Sequence, residues 1–418
     1  MIGSIAIFFL LFTAFILSIP AASYTGLATW GSLAASSVAF VSMALNQFLA
    51  TRPKFLEVAF GGLDRIYHLH KKLGMLALTL ILVHYFVTPN FKGKALATSI
   101  DLLAKDVGKY TFYGFIVLLV LSLVKRIPFT KFEFPYHIWR QSHRFMGVLF
   151  IAIAFHQMFI KRPFDGNALL ANYLNIFAAI GILSFFYTQL AGFFRGKSYV
   201  VTAVERLPAA TVVEAAPESS LLGSIPGQFA FISFKKKGLR EPHPFTLAGR
   251  GEKGEVKFAI KALGDFTKSL RENIEVGDHI KVEGGYGRFR FDPKQRRQLW
   301  LAGGIGVTPF LAMTKGLKPD LEQKICLVHC VRGTGEALDE EMLKSQAKLI
   351  PNFEYMLFDS ETSGRIDADK LAEIVDFDLD GAEMLFCGPP RLREAIVKGL
   401  KKQKIRFSKV RFELFEFR

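Results

Sequence analysis

The sequence predicts a membrane all-α six-helix bundle, followed by an antiparallel β-barrel and an α/β doubly wound domain. Three observations carry this. No charged residue occurs from Met1 to Thr51, whereas the chain beyond Phe194 has the mixed charge of a water-facing protein. Apolar runs long enough for a hydrocarbon core of ~30 Å recur through the first half. After about Gly196 the pattern becomes short alternating runs, and then strands spaced by helical stretches.

Six spans fall near 2–20, 27–50, 70–88, 110–124, 144–160 and 170–194. The first has no basic leader, and its apolar run is longer than that of a cleaved signal, so it reads as a membrane helix. An even number of spans puts both termini on one face. Arg52, Lys54, Arg65, Lys71, Lys72, Lys125, Arg126, Lys131, Arg140 and Arg144 share that face, against fewer basic residues (Lys92, Lys94, Lys105, Lys109, Lys161, Arg162) on the other. The positive-inside rule therefore puts the termini and the soluble half in the cytosol, with the spans in the plasma membrane. Basic flanks of membrane helices account for the net charge of +16, and no nucleic-acid partner is expected. Cys326, Cys330 and Cys387 all lie in the soluble half at no zinc-site spacing, consistent with reduced cytosolic thiols.

Ionisable side chains inside a membrane are costly and usually functional. Two spans repeat one pattern: His70-Lys71-Lys72-Leu73-Gly74 with His84, and His143-Arg144-Phe145-Met146-Gly147 with His156. At 1.5 Å per residue, each pair is separated by ~20 Å along its helix. Side by side, the two helices offer two histidine levels. Neutral imidazoles from opposite sides suit a low-spin haem iron, so His70 pairs with His143 and His84 with His156 as metal ligands. The glycines are places where a porphyrin can approach the backbone. A spacing of 13 leaves a rotation of ~220° on an ideal helix, which calls for a bulge in the 143–156 helix or haems at different azimuths. The competing reading is that the histidines simply hydrogen-bond between helices. His68 lacks the glycine and reads as interfacial. No Cys-x-x-Cys-His occurs, so the haems are non-covalent and b-type.

In the soluble half, strands are expected at 199–205, 229–234, 256–261 and 279–282 for the barrel. For the α/β domain they are expected at 299–302, 324–331, 353–358, 384–386 and 410–417. The implied domains are 1–195, 196–293 and 294–418. His243-Pro244-Phe245-Thr246 ends a barrel strand, where a backbone group and the Thr246 hydroxyl can meet a flavin edge. Gly264-Asp265-Phe266-Thr267 opens a helix whose free N–H groups suit a pyrophosphate, with Lys261 adding charge. The run from Leu299 to Pro309 is a strand, a glycine turn and a helix start, in which Gly304 and Gly306 let a dinucleotide phosphate approach the backbone. Arg332 follows the next strand, where it can meet a ribose 2′-phosphate or stand as a solvated loop residue. Cys387-Gly388-Pro389 ends the fourth strand, at the edge where such sheets bind ligands.

In this order the motifs resemble the ferredoxin–NADP reductase superfamily. With the six spans and paired histidines, the whole chain resembles the NADPH oxidase and ferric reductase family, of bacterial single-chain type, over nearly all of residues 1–418. The resemblance implies that His243 to Thr246 bind FAD, with Lys261, Gly264 and Thr267 near its pyrophosphate. It implies that Gly304, Gly306, Thr308 and Pro309 bind NADPH, with NADH possible and Arg332 favouring the 2′-phosphate. Cys387, Gly388 and Pro389 would lie by the nicotinamide, and Phe417 would stack on the flavin as a gate. Thr246, Cys387 and Phe417 are thus the candidate catalytic residues. Gly285 stands where the family commonly has proline, and Arg418 follows the aromatic. With no calcium-binding module and no Pro-rich tail, constitutive activity without a cytosolic activator is expected. The implied enzyme is a transmembrane flavocytochrome b passing electrons from NADPH through FAD and two haems to dioxygen, giving superoxide. A ferric-chelate reductase, or an electron-transfer subunit feeding a periplasmic protein, would share the wiring.

Overall fold

Backbone polar groups have no partner in hydrocarbon except each other, so long apolar runs fold as helices. The computed structural model describes residues 2–87, 98–123, 136–160 and 167–412, in two units, Met1–Phe194 and Arg195–Arg418. The first unit holds α1 (Ile2–Ser18), α2 (Ala22–Thr25), α3 (Leu27–Ala50), α4 (Lys54–Phe60), α5 (Leu63–Phe86), α6 (Ser99–Leu123), α7 (Tyr136–Phe159) and α8 (Ala168–Phe194).

Among the described residues, four helical stretches are long and apolar enough to cross a membrane: Ile2–Ala21, Leu27–Ala50, Leu63–Phe86 and Ala168–Phe194. The other two expected spans, α6 and α7, have the length. They also carry Asp101, Lys105, Asp106 and Lys109 on α6, and Arg140 and Arg144 on α7. The spans read from the sequence near 70, 110 and 144 begin late, because each helix continues into a charged first part that hydropathy does not register. His68, on α5, is exposed.

α3 is the central rod, packed against α1, α5 and α8, while α6 packs on α7. Phe40 of α3 stacks on Phe150 of α7 at 5.3 Å between ring centroids. A Cβ at Gly181 of α8 would collide with the Phe150 ring, so glycine there sets how closely α7 and α8 approach. Two polar side chains tie neighbouring helices through carbonyls. Tyr173 donates to Leu10 at 2.7 Å, and Asn167 donates to Leu17 at 2.6 Å.

The second unit opens with a closed barrel of β1 (Lys197–Arg206), β2 (Thr211–Pro217), β3 (Phe229–Phe234), β4 (His243–Arg250), β5 (Val256–Ile260) and β6 (His279–Tyr286), in the order β1-β2-β5-β4-β3-β6. α9 (Asp265–Asn273) lies between β5 and β6. Two expectations are corrected. β2 is an additional strand, and His243 opens β4 rather than ending a strand. Pro244 sits within the ladder opposite Phe231. The Gly285 departure also has a cause. In the β3–β6 ladder, Phe229 faces Tyr286 and Ala230 faces Gly284, so Gly285 is the extra residue of a bulge at φ +67°. Proline, fixed near −65°, cannot adopt that angle.

The α/β part contains β7 (Arg297–Gly303), α10 (Thr308–Thr314), β8 (Lys324–Val331), α11 (Glu340–Leu349), β9 (Phe353–Asp359), α12 (Ser360–Ser363), α13 (Ala368–Ile374), β10 (Glu383–Cys387), α14 (Pro390–Lys402) and β11 (Lys409–Phe412). All five strands are parallel, in the order β11-β10-β7-β8-β9. Chain order reverses between β7 and β10, so the crevice for a ligand lies beyond the ends of those two strands. β11 is anchored by Arg411, whose Nε donates to the fully buried Glu383 at 2.5 Å and whose guanidinium also pairs with Asp292. Burial raises the Glu383 carboxyl above its ordinary range despite Arg411. At Asp292 burial acts the same way, but the Lys294 amide and Arg411 outweigh it and hold the carboxyl low.

Candidate functional site: paired histidines and a nucleotide crevice

His70 and His84 lie on α5, His143 and His156 on α7, and all four are half-buried. The His70 and His143 rings lie close together, with centroids 6.1 Å apart and planes at 58°. Two imidazoles binding one ion from opposite sides at ~2 Å each have centroids roughly 6 Å apart, which is the spacing of these rings. His84 and His156 are likewise within electrostatic reach of each other. Among the described residues no group of three or more His, Cys, Asp or Glu forms; the histidines come in twos. α7 is a continuous α-helix from Tyr136 to Phe159, so the bulge expected as one answer to the 13-residue spacing is not there.

Each ring is oriented from behind. His84 Nδ1 lies 2.9 Å from the Ser32 hydroxyl and 3.2 Å from the Ser32 carbonyl. His70 hydrogen-bonds the backbone of Asn46. His143 Nδ1 lies 3.0 Å from Ser122 Oγ, and His156 Nδ1 lies 2.8 Å from the Ala104 carbonyl. Engaging Nδ1 leaves Nε2 to face a metal, which is how ligand histidines are usually held. α3 thus serves both α5 histidines, and α6 serves both α7 histidines. Sequence reading missed these partners, although Ser32 and Asn46 are 14 residues apart, the same spacing as His70 and His84.

The small residues divide by role. A Cβ at Gly74 would make only an ordinary contact with Asn46, at 3.6 Å. At Gly147 it would run into the Phe185 ring, so that glycine serves helix packing rather than a porphyrin. Gly108 of α6, which sequence reading passed over, is the one that admits the His156 ring: a Cβ there would strike its Nδ1.

At the crevice of the second unit, Gly304 has φ +56° and no atom within 4 Å of where a Cβ would stand. That is open space beside a turn. Gly306 differs: its Cβ would meet the Cys387 carbonyl, so this glycine lets the turn close on the end of β10. Thr308 and Pro309 are buried, and the Thr308 hydroxyl donates to the Ile305 carbonyl. Cys387 is buried, and Gly388 and Pro389 lead into α14 beside Gly303. Arg332, just beyond β8, is exposed. Behind the turn is a residue that sequence reading did not single out. His329 of β8 is fully buried, and its Nε2 lies 3.0 Å from the Gly304 carbonyl.

In the barrel, the His243 ring stacks on Phe266 at 3.8 Å, with Phe245 farther along at 6.3 Å. Thr246 is buried and paired with Phe229. The start of α9 is less open than the motif suggests. The Thr267 hydroxyl accepts from the N–H groups of both Leu263 and Gly264 at 2.9 Å, and Asp265 Oδ1 accepts from Phe266 N at 2.8 Å. Lys261 pairs with Glu336 at 3.2 Å, on the loop after β8. Phe417 lies outside the described residues.

Comparison with known proteins agrees with this layout. Residues 35–154 match the family described as ferric reductase like transmembrane component, 203–294 an FAD-binding domain, and 300–398 an oxidoreductase NAD-binding domain. The chain joins a ferric-reductase-like transmembrane domain to an FAD and NAD(P)H dehydrogenase, as in the ferric reductase/NADPH oxidase superfamily. The chain is an FAD- and NAD(P)H-binding oxidoreductase. It is 27% identical over 237 residues to the toluate 1,2-dioxygenase electron transfer component of Pseudomonas putida, covering 54% of this chain and 69% of that one. It is 28% identical over 141 residues to NADPH oxidase 1 of Mus musculus, covering 32% of this chain and 24% of that one. A solved flavohemoglobin from Malassezia yamatoensis shares the fold at a TM-score of 0.51 and 18% identity, over 96% of this chain and 98% of that one.

Proposed function

We propose that the chain is a transmembrane flavocytochrome b that takes electrons from cytosolic NADPH, or NADH, and delivers them across a six-helix membrane domain to dioxygen, giving superoxide. The observation that carries this reading is the 6.1 Å spacing of the His70 and His143 rings, the spacing that one shared ion needs, with each histidine hydrogen-bonded to a neighbouring helix. Bound FAD and two b-type haems supply hydride acceptance and single-electron transfer, so that one NADPH and two O2 give NADP⁺, one H⁺ and two superoxide ions. The chain's own residues do the rest. His70 with His143, and His84 with His156, would hold the two haems at two levels, each imidazole oriented by its partner on α3 or α6. His243 to Thr246 orient the flavin, with Gly264 and Thr267 shaping the loop near its pyrophosphate. Gly304 gives room to the coenzyme phosphates, and Arg332 offers a fixed cation to a 2′-phosphate. Cys387 and Gly388, at the switch point, bound the nicotinamide's place.

The purified protein, reconstituted in liposomes with NADPH outside, should reduce cytochrome c enclosed in the vesicles, in a manner suppressed by enclosed superoxide dismutase. Reduction of a ferric chelate at equal rate with no dismutase-sensitive component supports the second reading, a ferric-chelate reductase, which the family match over 35–154 favours. Absence of both, with NADPH still reducing the flavin, overturns transmembrane delivery to small acceptors.

A further inference from the structure

His329 makes a contact that the redox chemistry does not call for. It is buried at 0% exposure in β8, opposite Ala302 of β7 and Leu357 of β9. Its Nε2 lies 3.0 Å from the carbonyl oxygen of Gly304, and its Nδ1 lies 3.4 Å from the Tyr355 hydroxyl. A carbonyl can only accept, so Nε2 carries the proton. Nδ1 is then the acceptor, and the tyrosine donates. Burial holds the ring neutral, lowering its pKa to about 4 against the opposing pull of the Gly304 carbonyl and Glu340. The result is a short chain of donors running from Tyr355 through His329 to one peptide of the glycine turn.

That peptide matters because it is planar and trans, so its C=O and N–H point in opposite directions. Fixing the Gly304 carbonyl inward onto His329 turns the Ile305 N–H outward. Gly304 itself has φ +56° with nothing near its missing Cβ, so its own bulk cannot fix the peptide. Gly304 opens a short 3-10 turn, Gly304–Val307, whose own hydrogen bonds are few and poor in geometry, and His329 adds a hold from outside that turn.

We propose that His329 is a positioning residue for the coenzyme pyrophosphate: by holding the Gly304 carbonyl it aims the Ile305 N–H at the phosphates common to NADH and NADPH. This deepens the reading that the coenzyme lies at the Gly304 turn and rests on it. Because the pyrophosphate is shared, the contribution is blind to the 2′-phosphate, in contrast to Arg332. It also acts on binding rather than on hydride transfer.

The test uses the full-length, FAD-loaded protein with NADPH and NADH as donors and compares His329→Gln with His329→Asn. The longer amide can reach Gly304 with its N–H group, and the shorter one cannot. His329→Asn should raise KM for both coenzymes about tenfold and equally, with kcat and FAD content unchanged. His329→Gln should restore KM to within about threefold of the parent. Equal KM for the two variants, or a loss confined to NADPH, overturns the positioning role. Should His329→Asn not retain FAD, Tyr355→Phe, which removes only the outer donor, decides the matter: a smaller KM rise equal for both coenzymes supports the role, and unchanged KM overturns it. Gly304→Asn separates this from the site reading. Asparagine tolerates the angle and the space is empty, so unchanged KM in that variant would place the coenzyme elsewhere. A raised KM without a Gln/Asn split at position 329 would leave the site intact and sink the positioning role alone.

Discussion

His84 and Ser32 hold each other at two points. The imidazole Nδ1 sits 2.9 Å from the serine hydroxyl, and the same hydroxyl reaches the His84 carbonyl at 3.2 Å. One small residue on α3 therefore fixes both the ring and the backbone that carries it.

His84→Ala or His156→Ala should each remove one of two haem equivalents and abolish transmembrane transfer, while NADPH still reduces the flavin. Haem is counted by the pyridine haemochromogen absorbance of the purified protein. Two full equivalents in either variant refute the assignment. Ser32→Ala, which loses the hydroxyl but keeps the carbonyl, should weaken haem retention by no more than the ~10–100-fold typical of partners behind a ligand.

Gly108 tests the same level from the opposite helix. A methyl group at this position collides with the His156 ring, so Gly108→Ala should displace the ring and lower occupancy of the outer haem. A spectrum and haem count equal to the parent would show that α6 moves aside instead.

Arg332→Ala should raise KM for NADPH about tenfold, since a charge-assisted contact to the 2′-phosphate is worth ~1.5–3 kcal/mol and 1.4 kcal/mol is one decade. KM for NADH should not change. Equal losses with both coenzymes would make Arg332 structural.

His329 also predicts a pH dependence of stability. Its pKa falls from 6.5 to about 4 on folding, so the unfolded chain binds the extra proton in that window. The contribution is complete above pH 6.5 and is lost as pH falls toward 4. At 1.36 kcal/mol per unit, the loss amounts to about 2 kcal/mol between pH 6.5 and 5. His329→Gln, which cannot titrate, should flatten that part of the curve when unfolding is followed by FAD fluorescence. Parallel curves for parent and variant would refute it.

Some of this was legible in the sequence, for a physical reason. A histidine in an apolar run is costly, so His70, His84, His143 and His156 stood out without any structure. Glycines after a strand, at 303, 304 and 306, likewise announce a turn. Their division of labour does not show: Gly306 is small because Cys387 is there, and Gly147 because Phe185 is. β2 was missed because Thr-Val-Val-Glu-Ala-Ala-Pro alternates too weakly to separate from a loop. Lys261 looked free because its partner, Glu336, is 75 residues away. At α9, the Gly-Asp-Phe-Thr motif gave the helix start but not that Thr267 already takes the N–H groups of Leu263 and Gly264 just before it.

α3 meets the α5 histidines at Ser32 and Asn46, two points on one unbroken helix, 14 residues and therefore ~21 Å apart. The helix works as a ruler. Neither histidine level on α5 can slide along the helix axis without stretching a continuous ladder of backbone hydrogen bonds, so on the proposed two-haem reading the gap an electron would jump is set by helical rise rather than by either pocket. Substitutions at one level can then change affinity or potential there while leaving the hopping distance alone. Only an insertion or deletion between Ser32 and Asn46 alters the distance, and one added residue also turns the far partner by ~100° away from its histidine.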